Sequence, residues 1–447
     1  MAADASGPEN QISLRDTFRA LRYRNYRLFF VGQGASLIGT WIQSIALSWL
    51  IYQLTHSALY LGIVGFASQI ATFILAPVAG VLVDRWNQHR ILIATQTLFM
   101  FEAFVLSALV FLRIITVWQV IVLSVFVGLV NGFDTPTRQA FVVRMIEDRA
   151  DLPNAIALNS SMFNGARLIG PAIAGILIAA VGVAWCFAIN GFSYLAVIVA
   201  LLAMQVNLFE PEQSTGPSAV RELHEGFRYT FGFPPVRAII LFLALVSLIA
   251  TPYSVLLPVF ATRILHGNAS TLGYLGAAAG VGAFIGATIL ASRKSILGLG
   301  IWIPTAGAIL GAGLIGFGLS QAMWLSLLLL AVIGFGLIVQ MASSNTILQT
   351  VVDDTIRGRV MSFYTAAYLG MTPFGSLLAG WLASRIGSPY TVALGGVISI
   401  AGSILFAVKL PSLRHFIRPI YCEKGILSAN LCGVQAASET YVPPEER

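Results

Sequence analysis

The chain has 447 residues, of which 57% are hydrophobic and only 10% are charged. About a quarter of the residues in soluble domains are charged, so this composition excludes an ordinary soluble protein. Backbone polar groups in hydrocarbon must be satisfied within helices or a closed barrel, and the long apolar runs of this chain favour helices. The net charge is +7. Because the basic residues lie between the apolar runs rather than on one soluble face, we expect no nucleic-acid partner.

Apolar stretches of about 20 residues, long enough to cross a bilayer, recur twelve times along the chain. The predicted spans are 28–53, 58–83, 91–112, 115–136, 154–180, 183–205, 237–262, 270–292, 297–318, 322–345, 360–384 and 389–408. They predict an all-α membrane protein with a cytosolic segment 1–27, a six-helix bundle 28–205, a cytosolic linker 206–236, a second six-helix bundle 237–408 and a cytosolic tail 409–447.

The distribution of arginine and lysine predicts the orientation, because cytosolic loops carry an excess of both. With a cytosolic N-terminus, 22 of the 26 basic residues fall on the cytosolic side and Arg167 lies within a helix. The three that face outward are Arg113, Arg263 and Arg385. We therefore expect both termini in the cytosol.

The two predicted bundles share short sequence matches at two constant offsets. SLIGT from Ser36 recurs as SLIAT from Ser247, 211 positions later, and Gly62 recurs as Gly273 at the same offset. At an offset of 205, Asp148, Gly170, Gly175 and Gly182 recur as Asp353, Gly375, Gly380 and Gly387. A half-chain repeat of one orientation fits two bundles that rock about a central midplane site.

A charged turn, GVLVDRWNQHR from Gly80 to Arg90, follows the second predicted span. With Asp84 and Arg85 it resembles the loop signature of the major facilitator superfamily, although Asn87 stands where the family usually has glycine. The resemblance implies the major facilitator fold over residues 15–410, with twelve helices in two bundles related by a pseudo-twofold axis.

The same resemblance suggests that this turn is a gate latch. Asp84 would face the N-terminal end of the eleventh helix, where the helix dipole favours an anion. Arg85 and Arg90 would reach Asp134, which lies close to Arg138 at the cytosolic end of the fourth helix. The alternative is a turn that only keeps positive charge inside.

Three further stretches, DTPTRQAF from Asp134, NGARLIGPAIAG from Asn164 and FRALRYRNYRLF from Phe18, resemble the superfamily branch of the enterobactin exporter and the macrolide-efflux proteins. That resemblance implies proton-coupled export of an amphipathic small molecule, either a siderophore such as an enterobactin-like catecholate or a macrolide-like drug. The fourth-helix arginine that many drug antiporters of the superfamily use for proton coupling is absent, and Gly128 stands in its place.

A stripe on the fifth predicted helix resembles the antiporter motif of exporters. It consists of Gly165, Gly170, Pro171 and Gly175. Small residues let helices approach closely, so the stripe predicts either a flexible contact between the bundles or ordinary tight packing.

Two charged residues lie deep in predicted helices, where such groups usually mark a transport pathway or a buried pair. Counted from the cytosolic ends, Glu102 and Arg167 both reach a depth of roughly 18–22 Å. Glu102 is a candidate for carrying coupling protons, or else a neutral carboxyl hydrogen-bonded to a nearby polar group. Arg167 is a candidate for substrate binding or switching, or else for structural pairing.

Helices one, four, seven and ten line the cavity of the major facilitator fold, and here they carry polar and aromatic side chains. The predicted lining is Gln33, Ser36, Thr40, Trp41, Gln43, Asn131, Ser247, Thr251, Tyr253, Gln340 and Ser344. An uncharged lining suits a bulky amphipathic ligand better than a free ion. The alternative is hydrogen bonding between helices, which contributes roughly 0.6 kcal/mol per bond.

Enzymatic chemistry has little support, because the five histidines are scattered and no phosphate-binding loop is present. We expect no cofactor and no metal site. The predicted partners are a small-molecule substrate, protons and membrane lipid, with the protein a monomer in the bacterial inner membrane. Two alternatives remain open: a nutrient importer of the same fold, and a non-transporting lipid scramblase or sensor.

Overall fold

The structure is a computed structural model that describes residues 18–205, 219–293 and 295–427. The side chains at 76–78, 80–81, 84–85 and 219–224 lie outside this description. The described residues are almost entirely helical. The helices are α1 Arg24–Thr55, α2 Ala58–Arg85, α3 Gln88–Phe111, α4 Val117–Arg144, α5 Leu152–Val181, α6 Val183–Leu202, α7 Ala219–Gly232, α8 Pro234–Ile249, α9 Tyr253–Val259, α10 Ala269–Ala291, α11 Leu299–Leu319, α12 Met323–Val351, α13 Asp354–Leu369, α14 Met371–Ile386 and α15 Ser388–Glu423.

Eleven helical stretches of the described chain are long and apolar enough to cross a membrane. One of them, Pro234–Ile264, joins α8, α9 and a π-helical turn, Phe260–Ile264, across a break before Tyr253. At the eleventh predicted position, α13 and α14 are each only 16 residues long because Gly370 separates them. The architecture is therefore consistent with twelve crossings, two of which are interrupted.

The helices form two bundles with matching internal contacts, which confirms the predicted fold class. In the first bundle α2 packs on α4 and α3 packs on α6. In the second bundle the equivalent pairs are α10 with α12 and α11 with α15. The bundles meet through α5 against α10 and through α2 against α14, two pairs that the repeat also relates to each other.

Residues of the sequence repeat occupy equivalent places at helix ends. The Asp148 carboxylate accepts a hydrogen bond from the Ala150 amide, and Asp353 likewise accepts one from the Thr355 amide at 3.0 Å. The hydrogen bonds from Thr355 hold the pKa of Asp353 below its usual value. Gly182 and Gly387 both have φ of +88°, a backbone conformation that glycine adopts without strain.

Two segments outside the crossings differ from, or refine, the predicted boundaries. Within the predicted linker, α7 packs on α13, with the rings of Phe227 and Phe363 6.1 Å apart and an ion pair of 2.5 Å between Glu225 and Arg359. The last helix continues to Glu423, about four turns past the predicted end at 408. The predicted tail therefore begins as ordered helix.

Candidate functional site

Close approach of small residues joins the bundles at one end of the molecule, which we call the closed end. Gly175 on α5 faces Gly273 on α10, and a Cβ atom built on Gly175 would come within 2.9 Å of the Gly273 Cα. One turn further along each helix, Gly276 packs on Pro171. Only glycine permits backbones to approach this closely, so these residues seal the α5–α10 interface.

The second interface repeats the first by symmetry. Gly62 on α2 faces Gly380 on α14, and Gly65 faces Ser376. Deeper in the interface the rings of Phe66 and Phe374 meet edge to face, 5.9 Å apart. Gly62 and Gly273 match at one repeat offset and Gly175 and Gly380 at the other, so both seals are built from repeat residues.

A polar contact joins the bundles at the rim of the closed end. Nη2 of Arg263, in the π-helical turn, donates a 2.9 Å hydrogen bond to the carbonyl oxygen of His56. The same guanidinium lies 5.9 Å from the centroid of the Tyr52 ring. The αL backbone of His56, with φ of +48°, ends α1 at this point.

The interface opens towards the opposite end. The face of α5 that packs on α10 through Pro171 and Gly175 continues as Ala157 and Ser160, which are exposed. The facing stripe of α10 continues past Gly280 as Phe284, which is also exposed. Two surfaces that touch at the closed end are therefore uncovered at the other, so a cleft lies between the bundles.

The predicted lining residues divide according to their burial. Thr40 is exposed, and Trp41, Asn131 and Thr251 are partly buried. The remaining seven are buried in this conformation, and their lining role stays a prediction: Gln33, Ser36, Gln43, Ser247, Tyr253, Gln340 and Ser344.

Several of the buried polar groups bond to neighbouring backbone or helices. Ser247 Oγ donates to the Tyr368 carbonyl oxygen, and Ser344 Oγ donates to that of Gln340. Sequence reasoning did not identify Phe163, which is 47% exposed and whose ring lies edge-on to Trp41 at 6.3 Å. The feature of the sequence that could have identified Phe163 is its position one helical turn before Arg167.

Glu102 is buried, with 2% of its surface exposed, at one end of a polar chain through three helices. Its Oε2 accepts a 2.8 Å hydrogen bond from Gln43 Nε2, and Gln43 Oε1 accepts one of 2.7 Å from Asn190 Nδ2. Asn190 Oδ1 accepts a further bond from Ser193. Glu102 therefore bonds to a polar side chain and does not pair with Arg167. Its two predicted roles, a carrier of coupling protons or a neutral hydrogen-bonded carboxyl, both stay predictions.

The polar chain lies close to the hydroxyl of Thr40, an exposed residue. Thr40 Oγ1 and the Tyr194 hydroxyl are 3.3 Å apart, and Tyr194 also interacts with Asn190. Gly39 makes room for this arrangement, since a Cβ atom there would clash with Asn190 and Ser193. A group buried on α3 is thus connected to the surface of α1.

Asp134 is held by three side chains, of which the sequence identified only Arg138. Its Oδ2 pairs with Arg138 Nη2 at 2.8 Å, and its Oδ1 accepts 2.8 Å hydrogen bonds from Thr95 Oγ1 and Gln96 Nε2. Arg90 is exposed and makes no contact with Asp134 among the described residues, so that part of the predicted latch is absent in this conformation. Arg138, one helical turn from Asp134, satisfies the carboxylate instead.

The other residues of the predicted latch, Gly80, Asp84 and Arg85, fall at positions whose side chains lie outside the described part of the structure.

The residues of the predicted glycine stripe on α5 lie in three different environments. Gly170 packs on Trp41 of the same bundle, Pro171 and Gly175 pack on α10, and a Cβ atom on Gly165 would meet nothing within 4 Å.

Arg167 is partly buried on α5, between the turns that carry Phe163 and Pro171. In the described part of the chain its guanidinium makes no ion pair and no hydrogen bond. No group of three or more His, Cys, Asp or Glu side chains suited to a metal ion occurs among the described residues.

Two symmetry-related bundles with a cleft between them define a membrane transporter of the major facilitator type. Residues 15–418 match the transmembrane secretion effector family, and the chain belongs to that family. Its bacterial relatives are transporters, which implies a small-molecule substrate and a multi-pass location in the inner membrane.

Three characterised relatives cover most of the chain. The staphyloferrin A transporter of Staphylococcus aureus is 24% identical over 85% of this chain and 95% of its own length. The enterobactin exporter of Escherichia coli is 27% identical over 88% and 93%. The multidrug efflux pump Tap of Mycolicibacterium fortuitum is 27% identical over 84% and 93%.

Solved structures show the same fold. A bacterial homologue of the lysosomal transporter Spinster, in an inward-facing unoccupied conformation, superposes with a TM-score of 0.63 at 15% identity, over 90% of this chain and 98% of its own. A POT family transporter in complex with 5-aminolevulinic acid gives a TM-score of 0.72 at 12% identity, over 87% and 96%.

Proposed function

We propose that this protein is a secondary-active exporter that moves an amphipathic small molecule out of the cell by alternating access. The observation that carries the proposal is the asymmetry of the bundle interface. The bundles are sealed through Gly175–Gly273 and Gly62–Gly380, while the facing surfaces of α5 and α10 are exposed at the other end. Rocking about the midplane would exchange the open and closed ends.

The orientation follows from the basic residues. The open end carries the cytosolic excess of arginine and lysine, while Arg263 and Arg385 lie at the closed end. With both termini cytosolic, the cleft faces the cytosol, which is the loading state of an exporter. The protein works as a monomer in this proposal, because both halves of the pathway come from one chain.

The substrate class is supported by the cleft and by the relatives. Thr40, Trp41 and Phe163 give the accessible surface a polar and aromatic character. The named relatives handle the siderophores staphyloferrin A and enterobactin or act in multidrug efflux. The proposed substrate is accordingly a siderophore, such as an enterobactin-like catecholate, or a macrolide-like drug.

Glu102 is the proposed coupling residue, and protons are the proposed coupling ions. It is a buried carboxylate whose hydrogen-bonded chain leads towards Thr40 in the cleft. The superfamily's usual arginine is replaced by Gly128, which packs on the backbone of Ser68 on α2, so no charge is available at that point. The latch at Asp84 and Arg85 remains part of the proposal for the state in which the open end closes.

The test uses inverted membrane vesicles, radiolabelled enterobactin and a radiolabelled macrolide. Export in cells corresponds to uptake here, and we expect concentrative uptake of one probe that an uncoupler collapses. Uptake only in right-side-out vesicles would identify an importer. Movement of lipid without accumulation of either probe against its gradient would favour the scramblase or sensor alternative.

A further inference from the structure

Arg167 occupies the angle between α1 and α10. Residues four apart lie on one face of a helix, so Arg167 shares its face with Phe163 on one side and Pro171 on the other. Phe163 contacts Trp41 of the first bundle, and Pro171 contacts Gly276 of the second. The guanidinium is therefore placed where the seal between the bundles ends and the cleft begins.

The charge of Arg167 has no protein counter-ion in the described part of the chain. Glu102 bonds to Gln43, and Asp134 is bound by Arg138, Thr95 and Gln96. A guanidinium at mid-membrane depth without a partner is expensive unless water or a ligand reaches it. Phe163, one turn towards the open end on the same face of α5, is 47% exposed, so this face is uncovered next to Arg167.

We propose that Arg167 binds an anionic group of the transported molecule, while Trp41 and Phe163 contact its aromatic or apolar part. The chemical class is an amphipathic anion, with a carboxylate or an ionised catecholate as the charged group. Guanidinium presents a planar fork of donors that matches two neighbouring oxygens. The inference rests on the proposed function and deepens it, because it favours anionic siderophore-like compounds over cationic drugs.

The test measures equilibrium binding to the purified full-length protein in lipid nanodiscs, with empty nanodiscs as the blank. The probes are dansyl-phenylalanine, its neutral carboxamide and cationic dansylcadaverine, followed by dansyl fluorescence. We expect the parent protein to prefer the carboxylate over the amide by about tenfold or more, since hydrogen bonds to charged groups have that effect. The cation should bind more weakly than the amide.

Arg167→Gln should remove the preference for the carboxylate, and Arg167→Lys should retain part of it. Arg385→Gln, which removes an exposed arginine at the closed end, is the matched control and should behave as the parent. In the parent protein, phenylglyoxal labelling of Arg167, mapped by mass spectrometry, should be blocked by the carboxylate probe and not by the amide. This measurement needs no folded variant.

Equal binding of carboxylate and amide by the parent, or an unchanged preference in Arg167→Gln, would overturn the inference. Both binding measurements are made without an ion gradient, so they do not depend on export. Loss of concentrative transport with the Arg167-dependent preference intact would sink the proposed function and leave this inference standing. Proton-driven export without that preference would overturn this inference and leave the proposed function standing.

Discussion

The carboxylate of Glu102 on α3 accepts a 2.8 Å hydrogen bond from the amide of Gln43 on α1, and both residues are buried. This bond sets the donor and acceptor roles along the polar chain, because the Gln43 side-chain oxygen is then free to accept a hydrogen bond from Asn190. Protonation adds an O–H donor to Glu102 while its other oxygen still accepts, so the bond from Gln43 is compatible with either state of the carboxyl. The Glu102 carboxyl on α3 is thereby linked through Gln43 on α1 to Asn190 on α6.

Glu102→Gln should abolish proton-driven export while leaving downhill exchange of substrate. The substitution preserves size and hydrogen bonding but removes the ionisable proton. Uptake into inverted vesicles, with and without an imposed pH gradient, measures both activities. Glu147→Gln, in the exposed connection between α4 and α5, is the control for loss of one carboxylate. Unchanged concentrative transport by Glu102→Gln would remove Glu102 from the mechanism.

Gly175→Ala should open the closed end. The new Cβ atom would lie 2.9 Å from the Gly273 Cα, and such overpacking costs about 1–3 kcal/mol. The conformations with the closed end apart should become more populated, which thiol labelling of a cysteine placed at Ser270 would report as faster modification. Gly165→Ala is the control on the same helix, since its Cβ atom meets nothing within 4 Å. Equal labelling in both variants would contradict this role of the seal.

The glycines of the closed end could be recognised in the sequence because they belong to the half-chain repeat. Backbones in such close contact require glycine, and the pseudo-twofold repeat places this contact once on each side of the molecule. The glycines therefore recur at constant offsets in the sequence, as Gly62 and Gly273 and as Gly175 and Gly380. Polar positions carry no such signature. The sequence does not distinguish a glutamine on α1 that faces a cleft from one that, like Gln43, bonds to a buried glutamate.

Of the three side chains that hold Asp134, only Arg138 could be read from the sequence. Arg138 lies four residues further along the same helix, whereas Arg90 was predicted on depth alone and does not pair with Asp134 in the structure. Thr95 and Gln96 complete the site from α3. Their spacing from Asp134 along the chain, 39 and 38 positions, gives no local pattern.

Arg263→Gln should weaken the rim of the closed end. The variant loses the charged donor to the His56 carbonyl and the contact with the Tyr52 ring. Because the arginine is exposed, we expect a modest loss of about 1 kcal/mol from the stability of the closed end. The same thiol labelling at Ser270 measures it, and a rate equal to that of the parent would show that Arg263 does not hold the bundles together.

Asp134 provides a test of which arginine holds the latch region in the open-cleft state. Asp134→Asn and Arg138→Gln should each destabilise the protein by about 2–4 kcal/mol, because a buried ion pair that loses one partner leaves a charge or donors unsatisfied. The estimate is lowered for Arg138, whose side chain is 24% exposed. Arg90→Gln should leave stability unchanged, since Arg90 is exposed and does not contact Asp134. Denaturation in detergent, followed by tryptophan fluorescence, measures all three variants. If Arg90→Gln were as destabilising as Arg138→Gln, Arg90 would have to bind the carboxylate, and the sequence-based latch would describe this conformation after all.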